Sequence, residues 1–175
     1  MKKIKGTKYL ISALLALMIL VLSACTPDSE FELYMGKPLR IAVIGEIPEV
    51  KEEQVKLTKI SFDKMTTTEL NAFDAVFIQE DNLFEAAEDQ YADVYLDSSI
   101  PFFFIGTDNY IPFVEKDMKY DKTMNWSAGI SYAVGILKRD DALKKWEYGL
   151  YNDEPKEEHI KDVYSRIFKT IDELN

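Results

Sequence analysis

Residues 101–106 read PFFFIG, an apolar run that opens with proline and closes with glycine. Four consecutive β-forming residues with no polar residue among them predict a strand buried on both faces, as in a parallel sheet. Two other runs have the same character, LRIAVIG at 39–45 and AVFI at 75–78. Residues 57–62 read LTKISF and alternate apolar with polar side chains, which predicts a half-buried strand.

Segments with helical spacing lie between these strands. Residues 66–73 predict a short capped helix, because a threonine precedes Glu69 by three positions. Residues 83–96 place apolar side chains on one face of a longer helix. We also expect a short helix over residues 49–55 and an irregular loop over residues 108–125.

The last third of the chain predicts a hairpin and a helix. Residues 130–137 and 145–151 predict two strands, and the polar stretch 138–141 between them predicts an antiparallel hairpin. In residues 155–174, apolar side chains recur along one helical face. We expect Pro155 to lie in the first turn of this amphipathic helix and Asp153 to cap it.

The alternation of strands and helices indicates the fold class. Nearly continuous apolar strands separated by helices predict a three-layer α/β domain with a mostly parallel sheet covered on both faces. The pattern resembles the flavodoxin-like and receiver-like folds, with a late β-hairpin and a C-terminal amphipathic helix. The resemblance concerns architecture, and a fold by itself assigns no function.

The N-terminus has the three parts of an export signal. Four lysines lie within residues 1–8, residues 9–22 are almost wholly apolar, and Ser23 and Ala24 precede Cys25. A helix over residues 9–22 would be about 21 Å long, shorter than the hydrocarbon core of about 30 Å. The pattern therefore favours a cleaved signal over a permanent membrane span.

The run Leu22-Ser23-Ala24-Cys25 closely resembles the lipobox of bacterial lipoproteins. The resemblance implies that residues 1–24 are a signal peptide and that Cys25 receives a diacylglyceryl group. The mature chain would then be held on the extracytoplasmic face of the cell membrane. The alternative is a free or buried thiol behind an uncleaved anchor. We expect residues 25–37 to form a tether and residues 38–175 a single α/β domain.

From Cys25 onward the chain is strongly acidic. These 151 residues carry 17 basic and 31 acidic side chains, which gives a formal charge of −14. Binding of nucleic acid depends on neutralising phosphates with Lys and Arg, so a nucleic acid partner is not expected. The same charge repels anionic lipid headgroups, so attachment to the membrane would come from the acyl chains on Cys25.

Polar residues follow the predicted strands at the edge where ligands bind in open α/β sheets. They are Glu46, Asp63, Glu80, Asp81, Thr107 and Asp108. This set is similar to the acidic pocket of receiver domains, but a single acid follows the first strand and the lysine that such a pocket has after its fifth strand has no clear counterpart, so phosphotransfer is not expected. Glu46, Asp81 and Asp108 are the candidate ligand-binding residues. They would hold a divalent cation through oxygen ligands or, in the simpler interpretation, lie solvated in turns.

The sequence lacks the common catalytic motifs. His159 is the single histidine, and we place it on the polar side of the final helix. With Cys25 acylated, His-based zinc sites and Cys–His dyads are excluded. No G-x-G-x-x-G, G-K-[ST] or G-x-S-x-G motif occurs. We therefore expect no catalytic residue, no metal site and no cofactor.

Aromatic residues are concentrated in residues 108–126 and in the hairpin. They are Tyr110, Phe113, Tyr120, Trp126, Trp146, Tyr148 and Tyr151. Such side chains either pack as core under a long loop or form a contact surface, and the sequence leaves both alternatives open.

These features predict a lipid-anchored extracytoplasmic protein that acts as a binding or interaction module for an unidentified protein partner, and not as an enzyme. The alternative is a small-ligand or divalent-cation binding protein, or a hydrolase, that uses the acids at the strand ends. An exposed aromatic patch on the loop or the hairpin would favour the first function. A concave apolar pocket that meets the acids would favour the second.

Overall fold

The computed structural model describes residues 31–140 and 142–174. The predicted signal peptide, Cys25 and the first part of the predicted tether lie outside the described residues. Within those residues, no helix is long and apolar enough to cross a membrane.

Six strands form one sheet. They are β1 Leu39–Ile44, β2 Val55–Ile60, β3 Ala75–Ile78, β4 Phe102–Ile105, β5 Ala133–Arg139 and β6 Ala142–Tyr148. Their order across the sheet is β2-β1-β3-β4-β5-β6. The first four run parallel, whereas β5 is antiparallel to β4 and β6 is antiparallel to β5. The predicted α/β class is confirmed, and the sheet is mixed.

The described part of the chain contains five α-helices. They are α1 Thr67–Leu70, α2 Leu83–Ala86, α3 Asp89–Asp97, α4 Ile111–Val114 and α5 Glu157–Leu174. The cap predicted for the first of them is confirmed, because the Thr66 hydroxyl oxygen accepts a hydrogen bond from the Glu69 N–H at 3.4 Å. The predicted C-terminal amphipathic helix is also present and is the longest of the five.

Helices cover the sheet on both faces, because a strand directs alternate side chains to opposite sides. Ile41 and Val43 of β1 pack in one core with the apolar face of α5. Ala42 and Ile44 pack in a second core with α1 to α4. All four side chains are fully buried. The described residues therefore form three layers, in which α5 is the one helix on one side of the sheet and four short helices lie on the other.

The helix predicted over residues 83–96 is divided into α2 and α3. The chain is extended at Glu88, with φ −74° and ψ 137°, so a second helix begins at Asp89. One straight helix would place Leu83 and Tyr95 about 120° apart around its axis. The break allows both side chains to be buried in the same core.

The helix predicted over residues 49–55 is wrong. The connection between β1 and β2 contains no helix, and Val55 already belongs to β2. The reason is Glu52, whose carboxylate is buried and accepts hydrogen bonds from the Tyr34 N–H and the Ser165 hydroxyl. The connection follows these tertiary partners instead of its local helix propensity.

The start of the final helix differs from the prediction. α5 begins at Glu157, so Pro155 precedes it, and Asp153 ends a 3₁₀ turn over Tyr151–Asp153 with φ 54°. Neither residue has the predicted position in the first turn or at the cap. The segment before α5 is instead a turn with two residues in the left-handed region, Asn152 and Asp153.

The predicted antiparallel hairpin is present as β5 and β6. Arg139 pairs with Ala142, so the loop has two residues. Asp140 has φ 50°, and positive φ is what a tight two-residue hairpin turn requires. The second strand starts three residues earlier than predicted, at Ala142 instead of Lys145.

Residues 31–37 pack against α5, although the sequence predicts them to be part of a tether. The Tyr34 ring is buried with its centroid 6.1 Å from that of Phe168, and its hydroxyl donates to the Lys37 carbonyl at 2.8 Å. The Gln54 side chain donates to the Tyr34 carbonyl at 2.6 Å. These contacts make the segment part of the folded domain.

Candidate functional site

A cleft lies at the carboxyl ends of β1 and β2, where the sequence predicts ligand-binding acids. Its volume is about 660 Å³, and Glu46 and Asp81 are among its lining residues. Gly45 at the end of β1 has φ +106°, and a Cβ atom there would lie 2.5 Å from Asn82 Nδ2. Glycine therefore allows the turn after β3 to pack directly against the end of β1.

The walls of this cleft combine acids with two aromatic rings, those of Phe62 and Tyr91. Lys59 Nζ lies 3.2 Å from Glu46 Oε1, and both side chains are largely exposed. The Tyr91 ring lies 4.9 Å from that of Phe62. Burial, followed by the negative charge of Glu85, raises the pKa of Tyr91, so its phenol stays protonated at neutral pH. The cleft can hold a small polar ligand beside an aromatic wall.

The third predicted ligand residue, Asp108, is not among the residues that line this cleft. It follows Thr107, which is fully buried and whose hydroxyl donates to the Met124 carbonyl at 2.7 Å. Glu80 accepts a hydrogen bond from Asn125 Nδ2 at 2.6 Å. The polar groups after β3 and β4 thus fix the long loop. Among the described residues, no group of three or more His, Cys, Asp or Glu side chains is arranged to hold a metal ion.

A second concavity of about 570 Å³ lies between two segments of the chain. One segment runs from Phe84 in α2 to Gln90 in the first turn of α3, and the other is residues 117–120. We call it the groove; it is lined by Phe84, Ala87, Glu88, Asp89, Gln90, Asp117, Met118, Lys119 and Tyr120. Phe84 is 49% exposed and Met118 is 43% exposed, so the groove presents two large apolar side chains to solvent. Tyr120 also lines the groove and is buried.

The floor of the groove is continuous with the core of the domain. Phe84 packs edge-on against Tyr120 with centroids 5.4 Å apart, and Tyr120 stacks on Phe113 at 5.7 Å. Phe113 in turn stacks on Phe104 of β4 at 3.8 Å. Burial raises the pKa of Tyr120, so its ring is neutral at physiological pH. A row of four rings thus supports the floor from the sheet.

The wall that carries Met118 is fixed to α3. Asp117 has φ 70°, a conformation that costs a non-glycine residue about 1 kcal/mol or more. Its N–H donates to Asp89 Oδ1 at 3.1 Å. One residue earlier, Lys116 Nζ lies 2.8 Å from Asp93 Oδ2. These two contacts hold the turn in place and keep Met118 on the surface.

Phe84 and Met118 are not among the functional residues that the sequence predicts. Phe84 precedes Tyr91 by seven positions and so lies on the apolar side of the helix predicted over residues 83–96, which gives no sign of its exposure. Met118 lies in the loop predicted to be irregular and has no pattern that would reveal its exposure. The groove is a property of the packed chain.

The aromatic residues of the loop and hairpin divide between core and surface. Phe113, Tyr120 and Tyr148 belong to the core, whereas Tyr151 is exposed. Tyr110, Trp126, Tyr132 and Trp146 are half-buried. Burial in the core and exposure at the surface therefore both occur among these residues. The exposed large apolar side chains of the loop are Ile111 and Met118, and Met118 lines the groove together with Phe84.

The prediction that His159 lies on the polar side of the final helix is wrong. His159 is 3% exposed, and its Nδ1 lies 2.9 Å from the Glu154 carbonyl oxygen. It precedes the buried Val163 by four residues and so shares the apolar face of α5. The rings of Phe31 and Tyr151 pack edge-on against it at 5.5 and 5.3 Å. The single histidine is a core residue.

Comparison with known proteins adds no relative. No protein-family model, no curated protein and no solved structure matches the chain.

Proposed function

We propose that this chain is a lipoprotein anchored on the extracytoplasmic face of the cell membrane and that its domain is a non-enzymatic interaction module. The membrane would be bound through acyl chains on Cys25, and the domain would bind a protein partner. The groove at Phe84 and Met118 is the observation that carries the interaction function.

The groove has the features of a protein contact site. Interface hot spots are apolar or aromatic side chains that fit well-packed pockets and are surrounded by polar residues. Phe84 and Met118 are such side chains, and Tyr120 provides a floor supported by the core. A rigid, partly apolar concavity needs little reorganisation when a partner binds, which favours affinity.

The anchor is tested by Cys25→Ala. We expect this variant to lose incorporation of an alkyne-tagged fatty acid and to change its processing or leave the membrane fraction, because the acyl chains supply the attachment. The neighbouring variant Thr26→Ala is the control and should be labelled and retained as the original chain is. Undiminished labelling and membrane retention of Cys25→Ala would contradict the lipoprotein proposal.

The interaction is tested by photo-crosslinking in intact cells. p-Benzoylphenylalanine in place of Met118 should give a discrete adduct with a protein after irradiation. The same residue in place of Ile47, which is 48% exposed and outside the groove, should give none. Equal crosslinking at both positions would contradict a specific contact at the groove.

The second candidate function is binding of a small ligand or divalent cation, or hydrolysis, at the strand-end cleft. Its support is the presence of Glu46 and Asp81 in a concavity large enough for a small molecule. The test is the Tm of the domain with calcium and with sodium chloride of equal ionic strength. This function would be favoured over the interaction module if calcium alone raises the Tm and if Asp81→Asn abolishes the rise.

We further propose that the domain is a variant of the flavodoxin-like or receiver-like architecture. The support is the order β2-β1-β3-β4 of its parallel strands, which agrees with the start of the order 2-1-3-4-5. The chain differs in that β5 is antiparallel and in that residues 45–54 join β1 to β2 without a helix. α5 covers the face of the sheet that carries Ile41 and Val43.

A further inference from the structure

The rim of the groove is acidic. Glu88, Asp89 and Asp117 line it together with one cation, Lys119. The described hydrogen bonds engage Glu88 through Oε2, which accepts from Gln90, and Asp89 through Oδ1. All three carboxylates lie on the exposed surface. An apolar floor is thus combined with a net negative border.

The apolar side chains and the charge favour the same kind of occupant. Contact with apolar side chains of a partner would remove Phe84 and Met118 from water, and cations opposite the rim would complement the charge of its carboxylates. A segment that presents apolar residues on one side and Lys or Arg beside them provides both contacts.

From this combination we infer that the groove binds a cationic amphipathic segment of a partner protein, an inference that rests on the interaction function proposed above. The rim carboxylates would pair with Lys or Arg of the segment, and its apolar side chains would cover Phe84 and Met118 over Tyr120. Complementary charge would speed the encounter and select the partner, while the apolar contacts would supply most of the affinity.

A second copy of this chain does not fit the groove as well. From Cys25 onward each copy carries a formal charge of −14. Two such copies repel each other at the distances of an interface, and like charges at an acidic rim add to this cost. The net charge of the chain therefore favours a basic partner over self-association.

Three synthetic peptides test the inference. The first has 18 residues with Leu on one helical face and Lys elsewhere, the second has Glu in place of each Lys, and the third is oligolysine of the same charge as the first. Binding is measured by surface plasmon resonance to the full chain in phosphatidylcholine nanodiscs, with empty discs as the reference. We expect the Leu–Lys peptide to bind and the other two to bind at least tenfold more weakly.

Variants of the chain locate the binding. Phe84→Ala and Met118→Ala should each weaken binding of the Leu–Lys peptide by about tenfold or more, as expected for side chains at a hot spot. Ile47→Ala, at a side chain of matched exposure outside the groove, should leave the Kd within about twofold. Glu88→Gln should weaken binding and reduce its salt dependence, whereas Glu53→Gln, at an exposed acid outside the groove, should do neither.

Several outcomes would overturn the inference. The first is failure of the Leu–Lys peptide to bind. The second is binding of oligolysine as tight as that of the Leu–Lys peptide, which would indicate charge attraction alone. The third is a loss of binding in Ile47→Ala equal to that in Phe84→Ala. A crosslink from position 118 to a cellular protein, together with failure of the Leu–Lys peptide, would leave the interaction module standing and reject only the cationic partner. Circular dichroism should show that Phe84→Ala remains folded, because this ring is half exposed.

Discussion

Phe168→Ala should lower the free energy of unfolding by about 3–5 kcal/mol, because it leaves a cavity in the core between α5 and the sheet. The Phe168 ring is fully buried, with ring centroids of Phe77 at 5.9 Å and Tyr164 at 6.4 Å. Domains of this size unfold with a total of about 5–15 kcal/mol, so the loss would be severe.

Urea unfolding followed by circular dichroism measures this loss. Phe84→Ala is the matched control, since it removes the same ring from a half-exposed position and should cost well under half as much. If Phe168→Ala were as stable as Phe84→Ala, the packing of α5 on the sheet would be contradicted. The prediction therefore tests the layer that α5 forms.

Glu52→Ala should lower the free energy of unfolding by about 2–4 kcal/mol, since a buried carboxylate with several donors is removed. Glu52 is 5% exposed and accepts from the N–H groups of Tyr34 and Lys51, at 3.4 and 3.1 Å, and from the Ser165 hydroxyl. These donors belong to the N-terminal segment, to its own connection and to α5. The substitution leaves the Tyr34 N–H and the Ser165 hydroxyl without this acceptor in the protein interior.

The exposed neighbour Glu53 provides the control for this substitution. Glu53→Ala should change the free energy of unfolding by no more than about 0.5 kcal/mol. Well below the melting temperature, chymotrypsin should cut after Tyr34 faster in Glu52→Ala than in Glu53→Ala, because residues 31–37 lose one of their attachments. Equal stability and equal cleavage would show that Glu52 does not hold this segment.

Elements with strong local patterns could be predicted from the sequence. The β3 strand agrees with its predicted bounds, and β1 and β4 agree to within one residue at each end. The final helix and the hairpin were also identified, because a regular apolar period and a polar turn are encoded within a few neighbouring residues. Local information was sufficient wherever one pattern dominated a segment.

The sequence predictions are wrong where a distant residue determines the local structure. Glu52 lies in a segment with helical propensity, but its partners Tyr34 and Ser165 are 18 and 113 positions away. His159 was placed on the wrong side of its helix, and Phe31, 128 positions earlier, packs against its ring. A window of neighbouring residues contains no information on such partners.

The candidate site was predicted only in part. The sequence placed acids at the carboxyl ends of the strands, and Glu46 and Asp81 line the cleft there. Asp108 lies outside that cleft, because the chain after β4 turns to anchor the long loop through Thr107. Whether any of these acids bind a ligand stays a prediction.

The sequence by itself determined the α/β class, the main strands, the final helix and the acidic charge, since composition and short periodic patterns encode these properties. The tertiary structure alone decided the order of the strands, the burial of His159 and Glu52, and the exposure of Phe84 and Met118. Strand order and exposure depend on which surfaces meet after the chain has folded. The groove exists because Asp117 is held by Asp89 and because four rings pack in a row from Phe84 to the sheet.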